Sequence, residues 1–161
     1  MKILIVLLPA LVLLACSSMP EITQKVECEI HSYGALEPED PSKIKKSDEV
    51  FSGYIRSYSG INIPTNSSEI ELERGRRFGL EHTFSGVPEG DVLKLVLTHP
   101  EMKKTDGSIA TKQVVKKNPS DGGSSYGFDR PYEQVTGEWK FEYWYDERLL
   151  CYQSFNVVEK N

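Results

Sequence analysis

Gly137-Glu138-Trp139-Lys140-Phe141-Glu142-Tyr143-Trp144-Tyr145 is the stretch on which the fold turns. Trp139, Phe141, Tyr143 and Tyr145 fall on one face of an extended chain, against Lys140, Glu142 and Trp144 on the other. Successive side chains of a strand point to opposite sides, so a period of two marks a strand with one buried face. Asp146-Glu147-Arg148 then turns the chain, and Leu149 to Val158 returns it with Leu149, Cys151, Phe155 and Val157 on one face. The two strands read as a hairpin whose Trp and Phe fill the space between two sheets.

The same alternation recurs upstream. Phe78, Leu80, His82 and Phe84 oppose Gly79, Glu81 and Thr83, while Val26, Cys28 and Ile30 alternate with Glu27 and Glu29 in a strand ending near Gly34. Val92 to Thr98 is a near-continuous apolar run after the turn Val87 to Asp91, which predicts a hairpin with the 78–84 strand. Weaker strands are expected at 49–58, around Ile70 and Leu72, and at 109–115. Residues 35–48, with Pro38, Pro41 and the cluster Lys43, Lys45 and Lys46, read as a loop, and Asn118 to Ser125 as a flexible breaker. No apolar stripe of helical period occurs after the N-terminal segment. Seven or eight short strands without a helix predict an all-β fold, an antiparallel β-sandwich, with a partly closed β-barrel as the alternative.

The only long apolar run is Ile3 to Ala15, preceded by Lys2 and followed by Cys16. It is too short to cross about 30 Å of hydrocarbon as a helix and fits the apolar region of an export signal. Leu13-Leu14-Ala15-Cys16 resembles the bacterial lipobox, which implies diacylglyceryl attachment at Cys16 and cleavage before it. Acyl chains anchor at about 0.8 kcal/mol per buried methylene, so two or more hold a domain on a bilayer. Expected boundaries are a signal peptide at 1–15, a tether at 16–24 and one domain at 25–161. Ser17, where an Asp would favour inner-membrane retention, implies the periplasmic side of the outer membrane if the source is Gram-negative.

With Cys16 assigned to lipid, Cys28 and Cys151 remain as an even pair in an oxidising compartment, either bridging the first strand to the last or buried as separate thiols; the bridge is the expectation. The chain carries 19 basic and 24 acidic side chains, a balance opposite to the clustered basic charge that binds nucleic acid. His31, His82 and His99 match no short metal-site spacing, and neither a Gly-x-Ser-x-Gly elbow nor any other catalytic constellation is present. His82, on an apolar strand face, reads as a hydrogen-bonded core or edge histidine, and His99 before Pro100 as a strand-end residue. No cofactor or metal is expected. Lys103, Lys104, Lys112, Lys116 and Lys117 read as a solvated basic face. Tyr126, Phe128, Tyr132, Trp144 and Tyr152 are the suggestive set, since Trp144 and Tyr152 oppose the core faces; either they are covered by the 118–132 loop, the commoner outcome, or Trp144, Tyr152, Tyr126 and Tyr132 form a candidate binding surface.

A resemblance spans Val26 to Val158. Arg77-Phe78-Gly79-Leu80, Gly86-Val87-Pro88-Glu89-Gly90, His99-Pro100, Tyr132-Glu133, Gly137-Glu138-Trp139-Lys140-Phe141 and Gln153-Ser154-Phe155-Asn156-Val157 resemble, in order and spacing, an uncharacterised bacterial family designated domain of unknown function 3859. The resemblance implies an immunoglobulin-like β domain and supplies no activity. Asp146-Glu147-Arg148 departs from it, because a glycine would ease that turn. The functional expectation is a non-enzymatic envelope lipoprotein that binds a protein or glycan, with two alternatives: an enzyme whose site is assembled from distant loops, and a passive structural lipoprotein.

Overall fold

The computed structural model describes residues 25–160. The expected signal peptide, at 1–15, and the expected lipidation position, Cys16, lie outside the described residues. The strands are β1 (Glu27–Ala35), β2 (Lys43–Lys46), β3 (Tyr54–Ser57), β4 (Glu69–Leu72), β5 (Arg77–Ser85), β6 (Leu93–Lys103), β7 (Ile109–Lys117), β8 (Gly122–Gly127), β9 (Gly137–Tyr145) and β10 (Arg148–Glu159). A single 3-10 turn, Pro131–Glu133, precedes β9. The small sheet runs β1-β5-β8 and the large sheet β4-β10-β9-β6-β7, with β2-β3 as a separate hairpin. Eight strands therefore make the two facing layers. Among the described residues no edge of one sheet pairs with the other, so the fold is an open sandwich and the barrel alternative falls.

The alternation in β9 is used as read. Trp139, Phe141 and Tyr143 are buried and meet Phe78 and its neighbours from the small sheet. The Phe78 ring centroid lies 5.1–5.8 Å from those of Phe155, Phe128, Trp139 and Phe141, mostly edge to face. Burying such a side chain contributes about 1.5–3 kcal/mol, so this cluster is the main adhesive between the sheets. The β9–β10 hairpin is closed by Asp146 and Glu147 alone, at φ 44° and 62°. This is the two-residue turn that favours Asn-Gly, which explains why the sequence looks uneasy there.

Four expectations are corrected. β5 and β6 are not a hairpin: β5 pairs with β1 and β8, and β6 with β7 and β9, so the 86–92 connection crosses between sheets. Both strands turn apolar faces to one interior, and opposite layers satisfy that as well as adjacency does. Lys43–Lys46 is a strand rather than loop, paired with β3 while wholly exposed, because a free hairpin needs no buried face. Gly122–Gly127 is also a strand; a Cβ at Gly79 would overlap the Ser124 carbonyl, so small residues let β5 and β8 approach closely. A bulge between Leu149 and Cys151 turns Leu149, opposite Trp144, away from the core face it was expected to share.

Cys28 of β1 and Cys151 of β10 are disulfide-bonded, with Cα atoms 5.8 Å apart across 123 positions of sequence. In the chain-entropy account a closure of that length stabilises by about 5 kcal/mol. Reduction, or Cys28→Ala with Cys151→Ala, is expected to lower the unfolding free energy by several kcal/mol in denaturant titration. Replacing Glu147 by Gly is expected to raise it by about 1 kcal/mol, since the left-handed conformation costs about that for a residue with a Cβ.

Candidate functional site

The four aromatic residues expected to form one surface are split by the fold. Trp144 and Tyr152 share the outer face of the large sheet, where Tyr152, opposite Glu142, is 58% exposed and diagonal to Trp144. Trp144 is half-buried, and its indole N–H has no partner. Tyr126 instead points inward from β8; its ring lies 4.9 Å from that of Trp139 and its hydroxyl donates to Glu133 Oε1 at 3.1 Å. Phe128 is fully buried. Tyr132, on the 3-10 turn, meets Phe51 edge to face at 5.6 Å. The expected common surface is thus corrected to an outer pair and an interior group, because residues 122–128 enter the small sheet and send alternate side chains to the core.

A cleft lies where Tyr126 points. Three strands cannot roof five, and β2-β3 with the chain after it covers the exposed inner side of β6 and β7. That cover is held at few places: Phe51 N–H donates to Gln113 Oε1 at 2.9 Å, Arg56 pairs with Asp129 at 2.6 Å, and the Arg77 guanidinium stacks 3.1 Å above the Tyr58 ring. Beneath and beside it is a cavity of about 560 Å³. Its inner wall is Leu95, Leu97, Val115 and Phe141. Polar side chains stand at both ends.

At one end, Lys117 Nζ donates to Gly123 O at 2.8 Å and Ser124 Oγ at 2.9 Å. No carboxylate among the described residues lies within 4.0 Å of it. Burial pushes its ammonium down to about 8. His82, on β5 at the same end of the interior, is fully buried between Phe84 and Tyr143. Burial first, then the charge of Lys117, lowers it to about 3, so it is neutral. Its two ring nitrogens and the Tyr143 hydroxyl have no hydrogen-bond partner, contrary to the satisfied histidine expected.

At the other end, Glu133 is only 2% exposed. Its carboxylate accepts from Arg130 N–H at 2.7 Å and from Tyr126 OH, which offsets part of the upward push of burial on its titration. Nearby, His99 donates from Nδ1 to Pro100 O at 2.8 Å; Nε2 must then accept, and it faces Gln113 Nε2 at 3.2 Å. His99 is therefore a buried link at a bulge of β6, not a strand end.

Lys117, Ser124, Gln113 and Glu133 were not among the residues picked out from sequence. Lys117 had been grouped with a solvated basic face, yet it pairs with Leu93 and shares the inner face of β7 with Gln113 and Val115. Counting by two from Val115 separates it from Lys112 and Lys116. The three histidines occupy separate places, His31 at the exposed β1 surface beside Thr83. No cluster of three or more His, Cys, Asp or Glu side chains occurs among the described residues.

Comparison with known proteins agrees with the fold. The model of the family described as Domain of unknown function (DUF3859) matches residues 24–157. An immunoglobulin-like protein from Pseudomonas aeruginosa, known from its crystal structure, superposes with a TM-score of 0.63 at 27% identity, covering 85% of this chain and 99% of that one. No curated protein matches the chain.

Two pH effects follow from these buried groups. The unfolded chain protonates His82 below about 6.5 while the folded one resists until about 3, so stability is lost as pH falls through that window, by about 1.4 kcal/mol per unit. His82→Phe is expected to remove this acid loss in melts between pH 7 and 4. For Lys117 the unfolded state holds the extra proton between about 8 and 10.5, so stability rises with pH there. Lys117→Met is expected to stabilise the domain at pH 7 by about 2 kcal/mol, after discounting for partial exposure, with the gain fading towards pH 10.5.

Proposed function

The chain belongs to the DUF3859 family, and from that premise we propose that it is a non-enzymatic binding module of the bacterial envelope, lipid-tethered through Cys16, that holds its ligand in the cleft between the sheets. The observation that carries the reading is the cavity of about 560 Å³, a size usual for small-molecule sites, with apolar walls and polar groups at its ends. The lipobox-like Leu13-Leu14-Ala15-Cys16 supports the tether, and Ser17 the outer-membrane destination. Trp144 and Tyr152 supply an outward aromatic face for an envelope protein or glycan, separate from the cleft.

A second reading, an enzyme, is favoured by the 2.9 Å contact between Lys117 Nζ and Ser124 Oγ, since a lysine of lowered basicity beside a hydroxyl is one way to activate a nucleophile. Against it, an ammonium lowered only to about 8 is still mainly protonated at pH 7 and donates to Ser124 Oγ rather than accepting its proton. Labelling by a fluorophosphonate probe that disappears in Ser124→Ala would move the assignment to a hydrolase.

The test of the binding reading is a thermal-shift screen with cationic, neutral and anionic small molecules, each hit mapped by NMR. Hits are expected to perturb Leu95, Leu97 and Gln113. Hits that map only elsewhere, or a screen with none, would overturn the cleft as the site. For the tether, intact mass of membrane-extracted protein is expected to fit cleavage before Cys16 plus acyl chains.

A further inference from the structure

We propose that the cleft takes an amphipathic organic anion, a carboxylate on an apolar body, with the carboxylate at Lys117 and the body along Leu95, Leu97, Val115 and Phe141. The inference rests on the cleft being the binding site and names the class of ligand.

Charge selects the head group. An ammonium has three protons to donate, and Lys117 uses two, both on neutral oxygens. A cation withdrawn from water is costly unless an anion faces it, and no carboxylate among the described residues does. The Tyr143 hydroxyl and the neutral His82 ring, buried at the same end without partners, supply no negative charge there.

The opposite end offers no free cation to the head group, since Arg56 is paired with Asp129. Glu133 is buried there and its charge already engaged by Arg130 N–H and Tyr126 OH. The cleft is therefore polar in an electrical sense, and a ligand with one charged end enters in one direction. Arg77 also lines the cleft, 7% exposed and with its Nε unpartnered, but the rest of its guanidinium is taken up by the Tyr58 ring and Ser125 Oγ, so Lys117 is the cation on the face that carries the apolar wall. With Arg56 paired to Asp129 and Arg77 stacked on Tyr58, one lysine beside the apolar wall fits a monoanion better than a polyphosphate. The four apolar side chains between the ends exclude a small hydrophilic anion, which would leave them facing water.

The experiment titrates the described domain with sub-micellar decanoate and with 1-decanol at pH 7, following methyl resonances of Leu95, Leu97 and Val115. Decanoate is expected to bind saturably at these positions, at least tenfold more tightly than decanol. Lys117→Met is expected to erase that preference, and Lys117→Arg to keep most of it; both are checked for folding by circular dichroism. Equal binding of the two amphiphiles in the cleft would remove the anion preference and leave the cleft a site. Decanoate that perturbs only residues outside the cleft, or that binds Lys117→Met undiminished, overturns the inference. So does the absence of any shift with either probe, in which case the broad screen decides separately whether the cleft binds ligands of another class.

Discussion

A sheet of three strands faces a sheet of five, and most of what is particular to this domain follows from that inequality. Where the layers overlap, Phe78 meets Trp139, Phe141 and Phe155 and the interior is dry and aromatic. Where the small sheet stops at β8, the inner faces of β6 and β7 still need cover, and the chain provides it with a hairpin that has almost no buried face of its own. A cover pinned by the Arg56–Asp129 ion pair, the stacked Arg77 guanidinium, the Phe51–Gln113 hydrogen bond and the packing of the Phe51 ring on Tyr132 leaves space beneath it. Two-stranded hairpins are marginal alone, so this cover belongs to the part of the fold that opens at least cost.

The polar groups follow the same division. Those at the far end, Tyr126, Glu133, Gln113 and His99, form partnered contacts that end on backbone groups of Phe51, Pro100 and Arg130. Those at the near end, His82, Tyr143 and Lys117, are either unpartnered or paired only with neutral oxygens. Buried polar groups are ordinarily satisfied, so the two ends of the interior differ in kind.

Much of the fold was legible because strands with one dry face announce themselves. β1, β5, β9 and β10 all carry that period, and the cysteine pair could be assigned once Cys16 was set aside. What could not be read was pairing across distance. Nothing local in Val87 to Val92 distinguishes a hairpin turn from a crossing between sheets, since both need a short polar bend. Nor does Gly122-Gly123-Ser124-Ser125 look like a strand, because its fitness for one depends on the close approach of Gly79, far away in sequence. The cleft was hidden for a related reason: it is made by what the small sheet fails to cover. Its key lysine sits in the run Val114-Val115-Lys116-Lys117, where composition suggests a solvated face and only register sends one of two adjacent lysines inward.

The bond between Cys28 and Cys151 has a topological consequence. It joins the first strand to the last, so nearly the whole domain lies within one covalent ring. A protease that cuts the 37–49 region or the 118–121 bend would leave the two pieces joined by the disulfide. The ring also fixes the order of maturation, because it cannot close until residue 151 has been made; cleavage alone would not divide the domain, and neither would reduction alone.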